Sequence, residues 1–227
     1  MSAQSLYELM STQRAIRRLK PDAIPDAVLE RIMQAAAWAP SGGNQQPWRM
    51  VMVSDPERKA RLGELYARRW ARFAELYQQR IADAEEAVRR KEERTIAAGD
   101  YLAGHFAECP VVAVACFNPD RMAITDARLD RVSVVGGGSV YPAVQNLLLA
   151  CRAEGVGAVL TTLLCQDEET VKQLLDIPAD WYTAAAVPMG YPVGGGYGPI
   201  DRRDVPQLFF ADRWGEPVSG GSDDGGA

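Results

Sequence analysis

Residues 39–48 read APSGGNQQPW, between an apolar helical pattern that ends at Trp38 and an apolar strand pattern, RMVMV, that begins at Arg49. A plain helix-to-strand connector needs about two to six residues and one glycine. This one carries two prolines, two glycines, a serine, an asparagine and two glutamines. Its backbone and short polar side chains are equipped to face something, and the elements on either side of it decide the fold class.

Upstream, Leu6 to Ser11 fits a short helix, and TQRAIRRLKPDAIP ends in a proline-bounded turn. From Pro25, Val28, Leu29, Ile32, Ala35, Ala36 and Ala39 recur at helical spacing, with Asp26 as a cap and Pro40 as the stop. Downstream, RMVMV reads as a buried strand closed by SDPER, where Ser54 or Asp55 can cap a helix behind Pro56. Residues 57–100 read as helical, with Leu65, Trp70, Phe73, Leu76, Tyr77 and Ile81 on an apolar side; 83–94, nearly all charge and alanine, reads as a solvated, mobile excursion.

CPVVAVACF is nearly continuous in β-formers, which predicts a strand buried on both faces. VGGGSVYPAVQNLLLACRAEGVGAVLTTLL reads as glycine-rich loop, long buried helix, a stop at Gly155 and Gly157, then strand. QDEETVKQLLDIP is a capped helix leading into the strand AAAVPMGYPV, and DRRDVPQLFFADRWGEP a short strand or an arm. Strands interleaved with helices predict an α+β or α/β sheet under helical cover. The helix at 140–154 is too apolar for a surface helix and implies a dimer core. Residues 218–227, VSGGSDDGGA, have the composition of a disordered tail.

Composition narrows the function. The 227 residues are 47% apolar and 24% charged with a formal net charge of −5. That balance argues against nucleic-acid binding, which draws its affinity from phosphate neutralisation. No stretch approaches the roughly 20 apolar residues of a membrane span, and the N-terminus has no signal-type apolar run, which predicts a cytoplasmic protein. Cys109, Cys116, Cys151 and Cys165 are scattered and read as reduced thiols. His105 is the only histidine, so neither a histidine-rich metal site nor a Ser-His-Asp triad is supported. Glu85-Glu86 and Glu92-Glu93 read as solvated faces. VGGGSVYPAVQN lacks the G-x-G-x-x-G spacing and a Walker lysine, which rejects a dinucleotide or P-loop reading. What remains is a dense basic cluster, Arg14, Arg17 and Arg18 with Lys20, and a second, Arg202 and Arg203. Guanidinium forks suit a terminal phosphate. With no acid, base or nucleophile set of its own, the chain points to a cofactor that carries the chemistry.

From about residue 10 to 215 the sequence resembles the FMN-dependent nitroreductase family. QRAIRRL is similar to the family's RRSxRxF segment, which holds the FMN phosphate; Arg14 and Arg17 fall on its basic positions, with Gln13 in place of an arginine and Ala15 in place of a serine. APSGGNQQPW matches the family's PSxxNxQPW loop, which reaches the flavin of the partner subunit, so Pro40, Ser41, Gly42, Asn44 and Gln46 carry over as cofactor contacts. The resemblance implies that Leu160, Thr161 and Thr162 pass the flavin ring and that IDRRDVP brings Arg202 and Arg203 to the phosphate, with Asp204 where proline is usual.

It implies an α+β, three-layer α/β/α sandwich with a mixed, mainly antiparallel sheet, a long central dimer-interface helix and a C-terminal arm on the partner. It further implies one FMN-binding domain, 1–217, with a helical lid at about 65–105 that offers Trp70, Phe73, Tyr77 and Tyr101 to substrate. The implied activity is reduction of nitroaromatic or quinone-like acceptors by NADPH or NADH in a homodimer, with no metal. Left open are a deiodinase-like or flavin-modifying enzyme and a non-catalytic flavin binder. The deiodinase branch grips a zwitterion with lid Glu, Tyr and Lys; Glu75, Tyr77 and Tyr101 are present, but no lysine stands near Gly99 or Asp100.

Overall fold

Ser5 opens the first helix, its Oγ accepting from the Glu8 amide at 3.1 Å, and α1 runs Leu6–Thr12 in a computed structural model that describes residues 5–218. The compositional tail lies outside the described residues from 219 onward. Helix α2 spans Asp26–Ala37. Asp26 does not cap it: Pro25 takes the cap position, and Asp26 is the first helical residue, where its charge favours the positive helix end.

Strand β1 is Trp48–Val53, starting one residue before the apolar run because Trp48 pairs with Phe117 of β2, Val111–Phe117. Helix α5 is Tyr141–Ala153, β3 the pair Gly157–Ala158, α6 Glu168–Leu174 and β4 Tyr182–Gly190. The sheet order is β1-β2-β4-β3, and all three pairings between these strands are antiparallel.

The helical stretch after β1 is two helices. Asp55, rather than Ser54, caps α3, Pro56–Ile81, by accepting from the Arg58 amide at 2.8 Å; α4, Glu86–His105, folds back against it. The turn and first part of α4 are exposed, as their charge predicts. On either side of this stretch, Leu62, Leu65, Tyr66, Trp70, Ile96 and Leu102 enter the core, so the rest of α3 and α4 is a wall of the molecule.

Alternation along β2 makes the three layers. Val112, Val114 and Cys116 join the cluster under α3, α4 and α6, whereas Val111, Ala113 and Ala115 join the one under α2 and α5. Asn146 Nδ2 donates to Ala35 O at 3.0 Å and ties α5 to the end of α2. A register shift at Ala115/Cys116 turns the end of β2 toward Thr183, which Glu168 on α6 holds through both its amide and its hydroxyl at 2.5 and 2.9 Å.

Gly157 and Gly190 face each other across β3 and β4, and the chain between α1 and α2 lies against them. Ile16 N donates to Ala158 O at 3.0 Å, Lys20 N to Tyr191 O at 2.8 Å, and Leu19 bridges Pro192. A Cβ on Gly190 would stand 2.9 Å from Lys20 O and from Pro110 Cδ. Gly190→Ala should therefore cost about 1–3 kcal/mol by overpacking; an unchanged melting temperature would show that the arginine-bearing segment does not lie here.

Burial pushes the thiols of Cys109, Cys116 and Cys151 from 9.0 up to about 12. The folded chain then keeps protons that the unfolded chain releases, so this contribution is complete below pH 9.0 and is lost as pH climbs toward about 12. Thermal melts should fall steadily over that window, and a rise would contradict the burial of these thiols.

Candidate functional site

The extended segment on Gly157 and Gly190 sorts its side chains by face. Ile16 and Leu19 sink into the core, Gln13 and Arg17 are half-buried, and Arg14, Ala15 and Arg18 are exposed. Arg18 lies over the Tyr101 ring, 4.7 Å from its centroid. Neither Arg14 nor Arg17 has an ion-pair partner among the described residues, although this acidic chain pairs many of its other arginines.

Arg17 opens onto a cavity of about 210 Å³ walled by Tyr66, Trp70 and Phe73 of α3 and by residues 159–163. Three elements converge there: the arginine segment, the aromatic face of α3, and the strand-like stretch after β3. Thr161 pairs with Ala186 of β4 by hydrogen bonds of 2.9 and 2.8 Å, and its Oγ1 accepts from Leu163 N at 3.3 Å, so the backbone of Leu160, Thr161 and Thr162 is fixed by the sheet. Arg69 of α3 grips Asp167 with two bonds of 2.7 Å just beyond this stretch, and holds the Asp167 carboxyl below its ordinary range. Thr162 also borders a second cavity, of about 410 Å³, lined by Phe117, Met122, Tyr141, Cys165 and Ala184 among others.

Tyr66 is the residue that the sequence reading missed. It is 2% exposed, stacked on Phe106 with centroids 4.8 Å apart. Burial pushes its phenol up to about 12 against the opposing Arg17 charge and a hydrogen bond from Thr161. It is a neutral group joining the basic end of the cavity to its threonine wall. Its place one helical turn before Trp70 was the available signal.

Of the aromatic residues expected in the lid, Trp70 and Phe73 line the cavity. Tyr77 and Tyr101 are not among its lining residues. Tyr77 is engaged by Glu92 of α4 at 2.5 Å and by Arg80 above its ring, and Tyr101 stacks on His105 with centroids 3.9 Å apart. They brace the helices instead.

The loop 40–46 lies elsewhere. Gly42 N donates to Ser139 Oγ at 3.0 Å, beside the start of α5. Within the loop, Ser41 Oγ accepts from Gln46 N at 2.9 Å and Asn44 Oδ1 from Gln46 Nε2 at 3.0 Å, while Gly43, Asn44 and Gln46 hold left-handed φ of 56°, 52° and 46°. Pro40, Gly42, Asn44 and Gln46 are exposed. Arg202 and Arg203 are exposed too, on a segment tied to α4 by the Lys91–Asp201 pair; they do not line the cavity. Within one chain, then, Arg17, Leu160, Thr161, Thr162, Trp70 and Phe73 come together, and the loop and the C-terminal arginines stay apart.

A model of the nitroreductase family matches residues 10–191. The chain is 32% identical over 186 residues to an NADH dehydrogenase of Thermus thermophilus, covering 82% of this chain and 85% of that one. It is 29% identical over 196 residues to the 5,6-dimethylbenzimidazole synthase of Rhodospirillum rubrum, with 82% of each covered. A solved structure of oxidized iodotyrosine deiodinase bound to FMN and 3-iodo-L-tyrosine superposes with a TM-score of 0.66 at 25% identity, over 88% of this chain and 96% of that one. With its antiparallel sheet between two helical layers, an arginine-edged cavity at one end of it and these matches, the chain belongs to the nitroreductase family of oxidoreductases.

Proposed function

We propose that the protein is an FMN-dependent NAD(P)H oxidoreductase that reduces nitroaromatic or quinone-like acceptors. The observation that carries the reading is Arg17: a half-buried guanidinium without a carboxylate partner among the described residues, at the edge of a cavity walled by three aromatic rings. That donor set fits a phosphate-bearing planar group. Arg17 and Arg14 supply charged forks for the phosphate, while the backbone amides of Leu160 and Thr162, held in place by the pairing of Thr161 with Ala186, supply fixed donors at the ring edge. FMN bound there supplies two-electron redox chemistry at a ring nitrogen. Trp70 and Phe73 shed water from the ring face, and one cavity serves the nicotinamide donor and the acceptor in turn.

The remaining contacts are assigned to a second copy. Loop 40–46 stands by the start of α5, turned outward, and offers Pro40, Ser41, Gly42, Asn44 and Gln46 to the cavity of a partner. The C-terminal segment exposes Leu208, Phe209 and Trp214, the last 92% accessible, as an apolar arm that a partner would cover and that would carry Arg202 and Arg203 with it. Residues 1–217 form one functional unit in this reading, with α3 and α4 as its cover. No helix among the described residues is long and apolar enough to cross a membrane.

The absorbance spectrum of the purified protein tests the cofactor, and anaerobic stopped-flow tests the reaction. Oxidised-flavin bands that bleach on mixing with NADH or NADPH and return on adding a quinone are expected. A flavin that neither nucleotide bleaches would defeat the reductase reading.

A further inference from the structure

The Tyr66 ring has little freedom to turn. Phe106 stacks on it at 4.8 Å with 27° between the planes, and Trp70 lies near-parallel to it at 6.4 Å. Trp70 is itself held from α4. Gly99 is buried against it, where a Cβ would stand 1.9 Å from Trp70 Cζ2, and Asp100 Oδ1 accepts from the indole Nε1 at 2.7 Å. A phenol ring fixed in this way carries its hydroxyl at a fixed point, on the wall of the cavity that it shares with Arg17 and Thr161.

The partners available to that hydroxyl are few. A phenol both donates and accepts, whereas a guanidinium only donates, so Arg17 offers nothing for the Tyr66 proton to bond to. Thr161 gives its hydroxyl proton to the phenol oxygen, and its backbone N–H and C=O are both spent on Ala186. No carboxylate lines the cavity, and the Tyr66 O–H forms no hydrogen bond to an acceptor among the described residues. Burial pushes the phenol up to about 12, so the proton stays on through the neutral range. A donor in a cavity wall without an acceptor of its own is costly unless a ligand supplies one. Here a charged donor and a neutral donor stand together, and the group that completes both is an electron-rich oxygen.

We propose that Tyr66 is a cofactor-binding residue whose O–H donates to the same ligand oxygen that Arg17 holds, an oxygen of FMN in the reading given above. The inference rests on that reading for the identity of the ligand. The pairing of the two donors is separate from it and can be measured by binding alone.

The test is a fluorescence titration of FMN into the flavin-free parent and into Tyr66→Phe, which keeps the ring and removes only the oxygen. The variant should bind FMN about tenfold more weakly, the scale of one hydrogen bond to a charged group. In an Arg17→Ala background the same change should cost less than about threefold, because the oxygen is no longer anchored for the phenol to meet. A ring that merely packs would cost the same in both backgrounds, and if Tyr66→Phe lowers the melting temperature, this comparison, made well below the melt, still separates packing from contact. Riboflavin, which lacks the phosphate, locates the oxygen: equal binding to parent and variant puts it on the phosphate, and a loss matching that of FMN puts it on the ring.

An FMN affinity unchanged by Tyr66→Phe, or an equal loss with and without Arg17, overturns the proposal. If the affinities change as expected but neither NADH nor NADPH bleaches the flavin, the contact stands and only the reductase reading falls. A parent that binds no flavin defeats the FMN reading, and inorganic phosphate then tests the donor pair by itself. Phosphate should raise the melting temperature of the parent more than that of Tyr66→Phe, and equal shifts would overturn the pairing.

Discussion

Replacing Arg17 with alanine should weaken FMN binding by about 10- to 100-fold. A hydrogen bond to a charged group contributes about 1.5–3 kcal/mol, and each 1.4 kcal/mol is about a factor of ten in affinity. The guanidinium has no ion-pair partner among the described residues, so its removal breaks no internal salt bridge and should leave the melting temperature of the flavin-free protein nearly unchanged. Arg17→Lys should recover part of the loss, because an ammonium supplies charge without the planar fork. Flavin fluorescence titration measures all three proteins. Equal affinity in Arg17→Ala would move the phosphate elsewhere, and with it most of the proposed function.

Phe106→Ala should have the opposite profile, a large loss of stability with a secondary effect on the cavity. Phe106 is 1% exposed and stacked on Tyr66 at 4.8 Å. Truncating a buried Phe costs about 3–5 kcal/mol, and for a chain of about this size each kcal/mol moves the melting temperature by about 2–4 °C. A fall of about 6–20 °C is therefore expected in thermal melts. Flavin affinity measured well below the melt should drop as well, since Tyr66 loses the surface that holds its phenol toward Arg17 and Thr161. A small shift in melting temperature would mean that the α3–α4 wall is less tightly packed than its burial implies.

These expectations draw on features that the sequence displayed unequally. The strand runs at 48–53, 111–117 and 182–190 were legible because short apolar runs stand there between turn residues, richest in β-formers at 111–117. The loop at 40–46 was legible from its surplus of turn residues. Two errors have a common cause in that the deciding contacts are distant in sequence. The stretch 57–100 reads as helical and charge-laced, but what determines its burial is the return of α4 onto α3, and Gly99 under Trp70 leaves no mark in a helical pattern. Tyr66 escaped notice because a tyrosine on an apolar helix face looks like packing until Arg17 and Thr161 arrive beside its hydroxyl from other parts of the chain. Tyr77 and Tyr101 belong to the lid that the family resemblance implies, yet within this chain Glu92 and Arg80 engage Tyr77, and His105 and Arg18 engage Tyr101. Asp26 lost its cap role because Pro25, one residue earlier, already sits where the cap must be.

The self-bonded loop at 40–46 has a thermodynamic consequence. Left-handed backbone at Asn44 and Gln46 is unfavourable by about 1–3 kcal/mol per residue, and fixing each residue costs about 1–2 kcal/mol of chain entropy. Both terms are incurred when the chain folds, because Ser41, Asn44 and Ser139 already hold the loop in shape. A partner subunit docked on this loop, as proposed, would meet a surface already ordered, which lowers the ordering cost of association on this side. Stability and affinity are thereby set against each other: a substitution that lets the loop relax would make the isolated chain more comfortable and its complexes weaker, with no contact removed.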